Sequence, residues 1–120
     1  MTQEARTIAR TVAKRLAAAH GPDLPAEVEL AIAAGGQPVD RDRYADPVAI
    51  GQLVVAAATL GWTVYLGLRR DNPKPTSDLV RRTIRARLHE QLDVDGGVRE
   101  RVVDVVIEET THAAGLDAPE

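Results

Sequence analysis

The stretch "PVAIGQLVVAAATLGWTVYLGLRR", residues 47–70, decides how the rest of the chain must be arranged. No charged residue lies between Val48 and Leu68, and Arg69 and Arg70 end the apolar run. As a helix this run is about 31 Å long, which matches a hydrocarbon core of about 30 Å. A helix that is apolar on every side is buried in lipid or in protein. The run therefore predicts a transmembrane helix, the buried central helix of a soluble domain, or a helix in an oligomer interface.

The basic residues around the run give the membrane interpretation a direction. Arg69 and Arg70 follow the run directly, and more basic residues lie within about 20 residues of its end than on the other flank. Because basic residues favour the cytoplasmic side, a spanning helix predicts a membrane-associated protein with residues 69–120 in the cytoplasm. Against spanning, the first 47 residues would have to be exported without a signal peptide. A cytoplasmic protein with a buried helix is the alternative.

The run also contains residues suited to close helix packing. Ala57-x-x-x-Gly61 and Thr63-x-x-x-Gly67 are small-xxx-small spacings, which let two helix backbones approach each other. Trp62 and Tyr65 lie toward the C-terminal end of the run. The candidate residues for helix–helix interaction are therefore Ala57, Gly61, Trp62, Thr63, Tyr65 and Gly67.

The segment before the run, residues 1–47, predicts a short helical region followed by a loop. In residues 3–20, Ile8, Val12 and Leu16 recur at helical spacing. Ala5, Ala9 and Ala19 lie near this apolar face, and Gly21-Pro22 ends the helix. Residues 24–34 fit either a helix or a strand, and the helix is favoured. Gly35-Gly36 ends this segment, and residues 37–47 predict a loop.

The segment after the run, residues 69–120, predicts a helical hairpin rich in arginine and glutamate. Val80, Ile84, Leu88 and Leu92 form an i, i+4 ladder within residues 77–92. A turn is predicted at 93–97, and a last helix at 98–114. The chain is therefore predicted to be all-α, as a small helical module with one long apolar helix at 48–68 and a C-terminal helical hairpin.

A basic face is predicted at the start of this hairpin, formed by Arg69, Arg70, Arg81, Arg82 and Arg85. Salt bridges to the acidic residues of the last helix are the favoured interpretation, and anionic lipid headgroups are the alternative for a spanning helix. Nucleic acid is not predicted as a partner, because the net charge is −3 and no aromatic residues are interleaved with the arginines.

No catalytic, cofactor-binding or metal-binding residue is predicted. The chain has no cysteine, its single serine (Ser77) lies where a helix cap is needed, and no glycine-rich loop matches a phosphate cradle. Glu109-x-x-His112 has the spacing of di-iron bundles. However, the hairpin places residue 109 opposite Arg81, so a surface Glu–Arg pair between the helices is the simpler interpretation. A metal-binding enzyme assembled between chains is the alternative.

The composition favours close packing over a large core. Hydrophobic residues are 44% of the chain, yet it contains no Phe, one Trp and two Tyr. Aromatic side chains supply much of the buried area in most cores. This composition suits helices that pack closely, or an oligomer.

Residues 46–88, "DPVAIGQLVVAAATLGWTVYLGLRRDNPKPTSDLVRRTIRARL", resemble small accessory proteins of high-GC Gram-positive bacteria. Those proteins combine a short helical module, one apolar helix and an arginine-rich continuation, and some accompany NTPase- or protease-based conflict systems as effector-associated components. The resemblance covers about a third of the chain, rests on pattern and carries over no functional residue. It implies a non-catalytic adaptor or scaffold that anchors or assembles partner proteins. The alternative is a soluble, homo-oligomeric interaction domain.

Overall fold

The computed structural model describes residues 2–33, 47–92 and 97–116. The predicted loop at 37–47 and the predicted turn at 93–97 lie almost entirely outside these ranges. The described residues form five helices and no strand, which confirms the all-α prediction with one long apolar helix and two C-terminal helices. The helices are α1 (Gln3–His20), α2 (Leu24–Ala33), α3 (Pro47–Asp71), α4 (Ser77–Gln91) and α5 (Gly97–Ala113).

Helix α1 begins and ends at the signals that its sequence contains. The Thr2 hydroxyl accepts a hydrogen bond from the Ala5 amide at 3.1 Å, and Gly21 ends the helix with a φ of 108°. Its predicted apolar face is buried, with Ala13 also inside and Ala19 exposed. The buried residues of α1 are Ala5, Ile8, Ala9, Val12, Ala13 and Leu16.

Helix α2 settles the ambiguity at residues 24–34 in favour of the helix. Leu24, Val28 and Ala31 are its buried residues, at the i, i+4 and i+7 positions of one face. This face packs against both α1 and α3. At the contact with α3, a Cβ atom on Gly51 would lie 3.0 Å from the backbone carbon of Glu27. The two helices therefore approach so closely there that only a glycine fits without displacement.

Helix α3 is the longest element, and it contacts all four other helices. Its 25 residues span about 37 Å, which is close to the 38 Å long axis of the molecule. It continues one turn beyond the predicted end at Leu68, where Arg69 and Arg70 are favourable near the negative end of the helix dipole. The buried hydrophobic residues of α3 from position 50 onward are Ile50, Val54, Val55, Ala57, Ala58, Trp62 and Tyr65.

By length and composition alone, α3 can span a membrane. Residues Ile50–Asp71 meet that test, and half of the most apolar window is buried against the rest of the protein. A core helix of a soluble protein meets the same test. In this fold the other four helices pack against α3 and leave the other half of that window outside the core.

Helices α4 and α5 complete the bundle as an adjacent pair that packs on α3. Thr76 caps α4, because its hydroxyl accepts a hydrogen bond from the Leu79 amide at 3.1 Å. Gly115 follows α5 with a φ of 76°, and the Leu116 amide donates to the Thr111 carbonyl at 2.7 Å. The buried side chains of α4 are three members of the predicted ladder, Val80, Ile84 and Leu88, whereas its fourth member, Leu92, is half-buried just after the helix.

Candidate functional site

One face of α3 remains accessible to solvent along most of the helix. The six residues along this face are alternately four and three positions apart in the sequence. This spacing keeps them on one side of the helix, as in a coiled-coil seam. Three of them are half-buried and the three nearest the C-terminus are exposed. We call this face the α3 strip, and it consists of Gln52, Ala56, Thr59, Thr63, Leu66 and Arg70.

The α3 strip carries no charge before Arg70, and its hydroxyl groups are already bonded. Thr59 donates to the Val55 carbonyl at 2.8 Å, and Thr63 donates to the Thr59 carbonyl at 2.8 Å. Each threonine hydroxyl therefore donates its hydrogen bond within its own helix, and the methyl group of the threonine remains available for contact. The two threonines can therefore be covered by an apolar surface without leaving their hydroxyl donors unpaired.

The other exposed faces of the described residues are rich in charge. Among the described residues, four ion-pair clusters lie on α1, α2, α4 and α5, and none of them involves α3. The two large apolar side chains that are most exposed are Leu30 on α2, at 64%, and Leu66 on the α3 strip, at 38%. Depletion of charge distinguishes the centre of protein interfaces from the remaining surface. The α3 strip is therefore the candidate interaction surface.

The structure divides the predicted interaction residues into an internal and an external group. Ala57 and Gly61 lie inside, and a Cβ on Gly61 would lie 3.3 Å from the Thr110 hydroxyl oxygen of α5. Thr63 and Gly67 are exposed, and a Cβ on Gly67 would meet nothing within 4 Å. The first small-residue spacing thus serves the fold, and the second lies on or beside the α3 strip.

The aromatic pair of α3 belongs to the core. Trp62 and Tyr65 are both buried, and their ring centroids are 5.1 Å apart with an angle of 39° between the planes. This tilted arrangement lies within the range that aromatic pairs prefer. The pair stabilises the C-terminal half of the bundle and is not presented to a partner.

Part of the predicted basic face is engaged in ion pairs. Arg85 reaches α5, with contacts of 2.7 Å to Asp104 and 3.7 Å to Glu100. His89 lies 3.1 Å from the same Glu100 carboxylate. Salt bridging between α4 and α5, the favoured interpretation of the arginine cluster, is therefore present at Arg85.

The remaining members of the basic face behave differently from one another. Arg82 pairs within α4, 3.4 Å from Asp78, and Arg81 donates to the Ser77 hydroxyl at 3.2 Å. Arg69 and Arg70 are exposed, and among the described residues neither has an ion-pair partner. The five arginines of the predicted basic face therefore differ in their contacts, and only Arg82 and Arg85 belong to described ion pairs.

Glu109 pairs with a residue outside the C-terminal hairpin. Arg15 of α1 donates to Glu109 at 2.8 Å and to Glu108 at 3.1 Å, so the predicted pairing with α4 is wrong for this carboxylate. The hydrogen bond to Glu109 raises the pKa of Arg15, more than burial lowers it. Arg81 does line the same cleft, of about 280 Å³, as the hairpin register predicts. No local spacing signals a contact between residues 94 positions apart.

A second ion pair that no local pattern predicts joins α1 to α2. The Arg10 guanidinium donates to the two carboxylate oxygens of Glu29 at 2.7 and 3.2 Å. This bidentate contact holds the pKa of Glu29 below its ordinary value and raises the pKa of Arg10. The pair is exposed, and it borders an open groove of about 300 Å³ between the two helices.

The hydroxyl of Thr110 is the exception among the buried polar groups of the described chain. It is fully buried, faces Gly61 of α3 and has no hydrogen-bond partner. Its neighbour Thr111 is also buried but donates to the Glu108 carbonyl at 2.9 Å. The unpaired hydroxyl of Thr110 therefore lies at the contact between α3 and α5, and its burial lowers the stability of the fold.

The metal alternative has no support within the described ranges. No group of three or more His, Cys, Asp or Glu residues lies together there in a way that could hold a metal ion. Glu109 is held by Arg15 instead. His112 lines the same cleft.

No family model, curated protein or solved structure matches this chain. The resemblance of residues 46–88 to accessory proteins of bacterial conflict systems therefore stays a prediction. A function for this protein must accordingly be argued from the geometry of its described residues.

Proposed function

We propose that this protein is a non-catalytic helical adaptor that binds protein partners through the α3 strip. The single observation that carries the proposal is an accessible helix face without charge from Gln52 to Leu66, on a molecule whose other described faces carry ion pairs. Depletion of charge is the property that sets the centre of a protein interface apart from the rest of the surface. The resemblance to conflict-system accessory proteins supports the same non-catalytic role, although it names no partner.

The two described clefts support an adaptor more than an enzyme. In the cleft of about 280 Å³, Arg15 is bonded to both Glu108 and Glu109. In the groove of about 300 Å³, Arg10 and Glu29 neutralise each other. Groups that perform acid–base or nucleophilic chemistry need a substrate within hydrogen-bond reach. Here the charged groups hold the helices together.

The proposal is tested by placing a photo-crosslinking amino acid at Thr63, in the middle of the α3 strip. Arg87, which is exposed on α4 and outside the described ion pairs, provides the matched control position. Irradiation of living cells of the native host is expected to give a defined protein adduct at position 63 and none at position 87. Equal yields of adduct at the two positions would refute the proposal. The mass of the adduct separates a second copy of this chain from another protein.

A second candidate role is membrane attachment through α3. It is favoured by the length and apolar character of Ile50–Asp71, and it predicts residues 69–120 on the cytoplasmic side because Arg69 and Arg70 follow the apolar run. The contacts of α3 with all four other helices oppose it, since insertion into lipid would uncover their apolar faces. For the soluble adaptor, we expect the untagged protein in the supernatant after ultracentrifugation without detergent. Recovery only with the membrane pellet would support attachment instead.

A further inference from the structure

We propose that the partner on the α3 strip is a second copy of this chain, bound as a two-fold dimer in which the two α3 helices run antiparallel. This inference rests on the proposed function of the α3 strip. It adds the identity of the partner, the direction of the contacting helices and their register. These three properties follow from the spacing, size and charge of the residues on the strip.

The intervals between the residues of the α3 strip are the same whether the helix is followed from its N-terminus or from its C-terminus. The intervals 4-3-4-3-4 are symmetric about the level of Gly61, so two antiparallel copies present identical intervals to each other. Gln52 and Arg70 are 18 residues apart, which is about five helical turns, and they project from the same side. In this register Gln52 faces Arg70 of the second copy, Ala56 faces Leu66, and Thr59 faces Thr63.

The sizes of the facing side chains suit a close contact. At the centre, Thr59 and Thr63 are small, and their hydroxyls are bonded to their own helix. Farther out, the small Ala56 faces the larger Leu66, which is 38% exposed in the single chain. Alternation of small and large residues across an interface lets two helices interdigitate without voids. The four central positions therefore pair without any charge between the helices.

Charge at the ends of the strip favours the antiparallel direction. Arg70 is exposed, and Glu27 of α2 lies beside Gly51 at the opposite end of the strip. Neither side chain has an ion-pair partner among the described residues. The antiparallel register brings Arg70 of one copy level with Gln52 and Gly51 of the other, near Glu27. A parallel pair would instead place the two Arg70 side chains together.

The area of the α3 strip is smaller than that of a stable interface. From Gln52 to Arg70 the strip is roughly 27 Å long, and a helix about 11 Å wide then offers on the order of 300 Å² per copy. Stable interfaces bury about 800 Å² per partner. The dimer is therefore weak and concentration-dependent, and it must be sought at high protein concentration.

The register is tested with single-cysteine variants, which are clean probes because the chain has no cysteine. Gln52→Cys and Arg70→Cys proteins are purified separately, mixed in equal amounts at high concentration and treated with a short bifunctional maleimide. We expect a cross-linked dimer in the mixture, at a yield at least tenfold above that of either variant alone. A mixture of Gln52→Cys with Arg87→Cys controls for random collisions. Cross-linking of Arg70→Cys alone at the yield of the mixture would overturn the antiparallel register.

Association itself is tested by sedimentation velocity of the wild-type chain over a wide concentration range. We expect reversible dimerisation, weakened at least tenfold by Thr63→Glu and unchanged by the control Arg87→Glu. Circular dichroism verifies that both variants remain folded. A wild-type chain that stays monomeric at every concentration would overturn the inference of a second copy. If position 63 nevertheless cross-links to another protein in cells, the proposed function survives, whereas the absence of both results refutes both proposals.

Discussion

The close contact between α2 and α3 at Gly51 determines how an alanine at this position changes the stability of the protein. In the Gly51→Ala variant, the new Cβ would lie 3.0 Å from the backbone carbon and from the Cβ of Glu27. Both atoms belong to rigid parts of a helix, so α2 and α3 must move apart. Overpacking of this kind costs about 1–3 kcal/mol. Alanine gains about 1 kcal/mol over glycine within a helix, so we expect a net change between neutral and about 2 kcal/mol less stable.

Gly67 on the same helix is the matched control. A Cβ at Gly67 would meet nothing within 4 Å, so Gly67→Ala keeps only the gain in helix propensity and should stabilise the protein by up to about 1 kcal/mol. Both variants gain nearly the same helix propensity. Their free energies of unfolding should therefore differ by the cost of overpacking at Gly51, which is about 1–3 kcal/mol. Urea unfolding of both variants at one dilute concentration measures it. If Gly51→Ala is as stable as Gly67→Ala, the close contact between α2 and α3 is not present.

Two further predictions concern buried and exposed polar groups. Thr110→Val should stabilise the fold by about 1 kcal/mol because it removes an unsatisfied buried hydroxyl, whereas Thr111→Val should destabilise it by a similar amount because it removes a formed hydrogen bond. Urea unfolding tests both, and equal effects of the two substitutions would refute this reasoning. The pKa of Glu29 should lie below its ordinary value because Arg10 donates to the carboxylate, and Arg10→Ala should return it toward that value. The stability that this depressed pKa contributes is present above the unfolded-state pKa and is lost as the pH falls through the folded-state pKa. Carboxyl NMR titration checks the shift, and an unchanged Glu29 titration in Arg10→Ala would show that Arg10 is not its cause.

The helices and most of their buried faces could be predicted from local patterns. The ladder of Val80, Ile84 and Leu88 predicted the buried face of α4, and the recurrence of Ile8, Val12 and Leu16 did the same for α1. These patterns are informative because a helix must bury its apolar face wherever it packs. For the same reason they leave the order of the helices around α3 undetermined.

The roles of the small residues could not be assigned from spacing alone. Gly61 and Gly67 occupy equivalent positions in two small-xxx-small motifs, yet one touches α5 and the other is open to solvent. What separates them is the presence of Val106 and Thr110 opposite Gly61, which is a tertiary property. Likewise, the partner of Glu109 is Arg15, far away in the sequence, because α1 and α5 are neighbours in the bundle.

The sequence alone leaves the surroundings of α3, lipid or protein, undetermined. Length, lack of charge and the arginines at its end are common to a spanning helix and a buried one. The structure adds that α3 contacts every other helix while one uncharged face remains accessible. The same helix thus organises the core and presents the candidate interaction surface.

Hydrogen exchange along α3 in detergent-free buffer tests this account most directly. If α3 is the central helix of a folded soluble bundle, the amides from Val54 to Tyr65 should exchange as slowly as those of α5, at the rate set by global unfolding. Mass spectrometry of peptides from the intact chain measures both helices in one experiment. Rapid exchange in α3 beside a protected α5, or protection of α3 that arises only when lipid or detergent is added, would contradict the account.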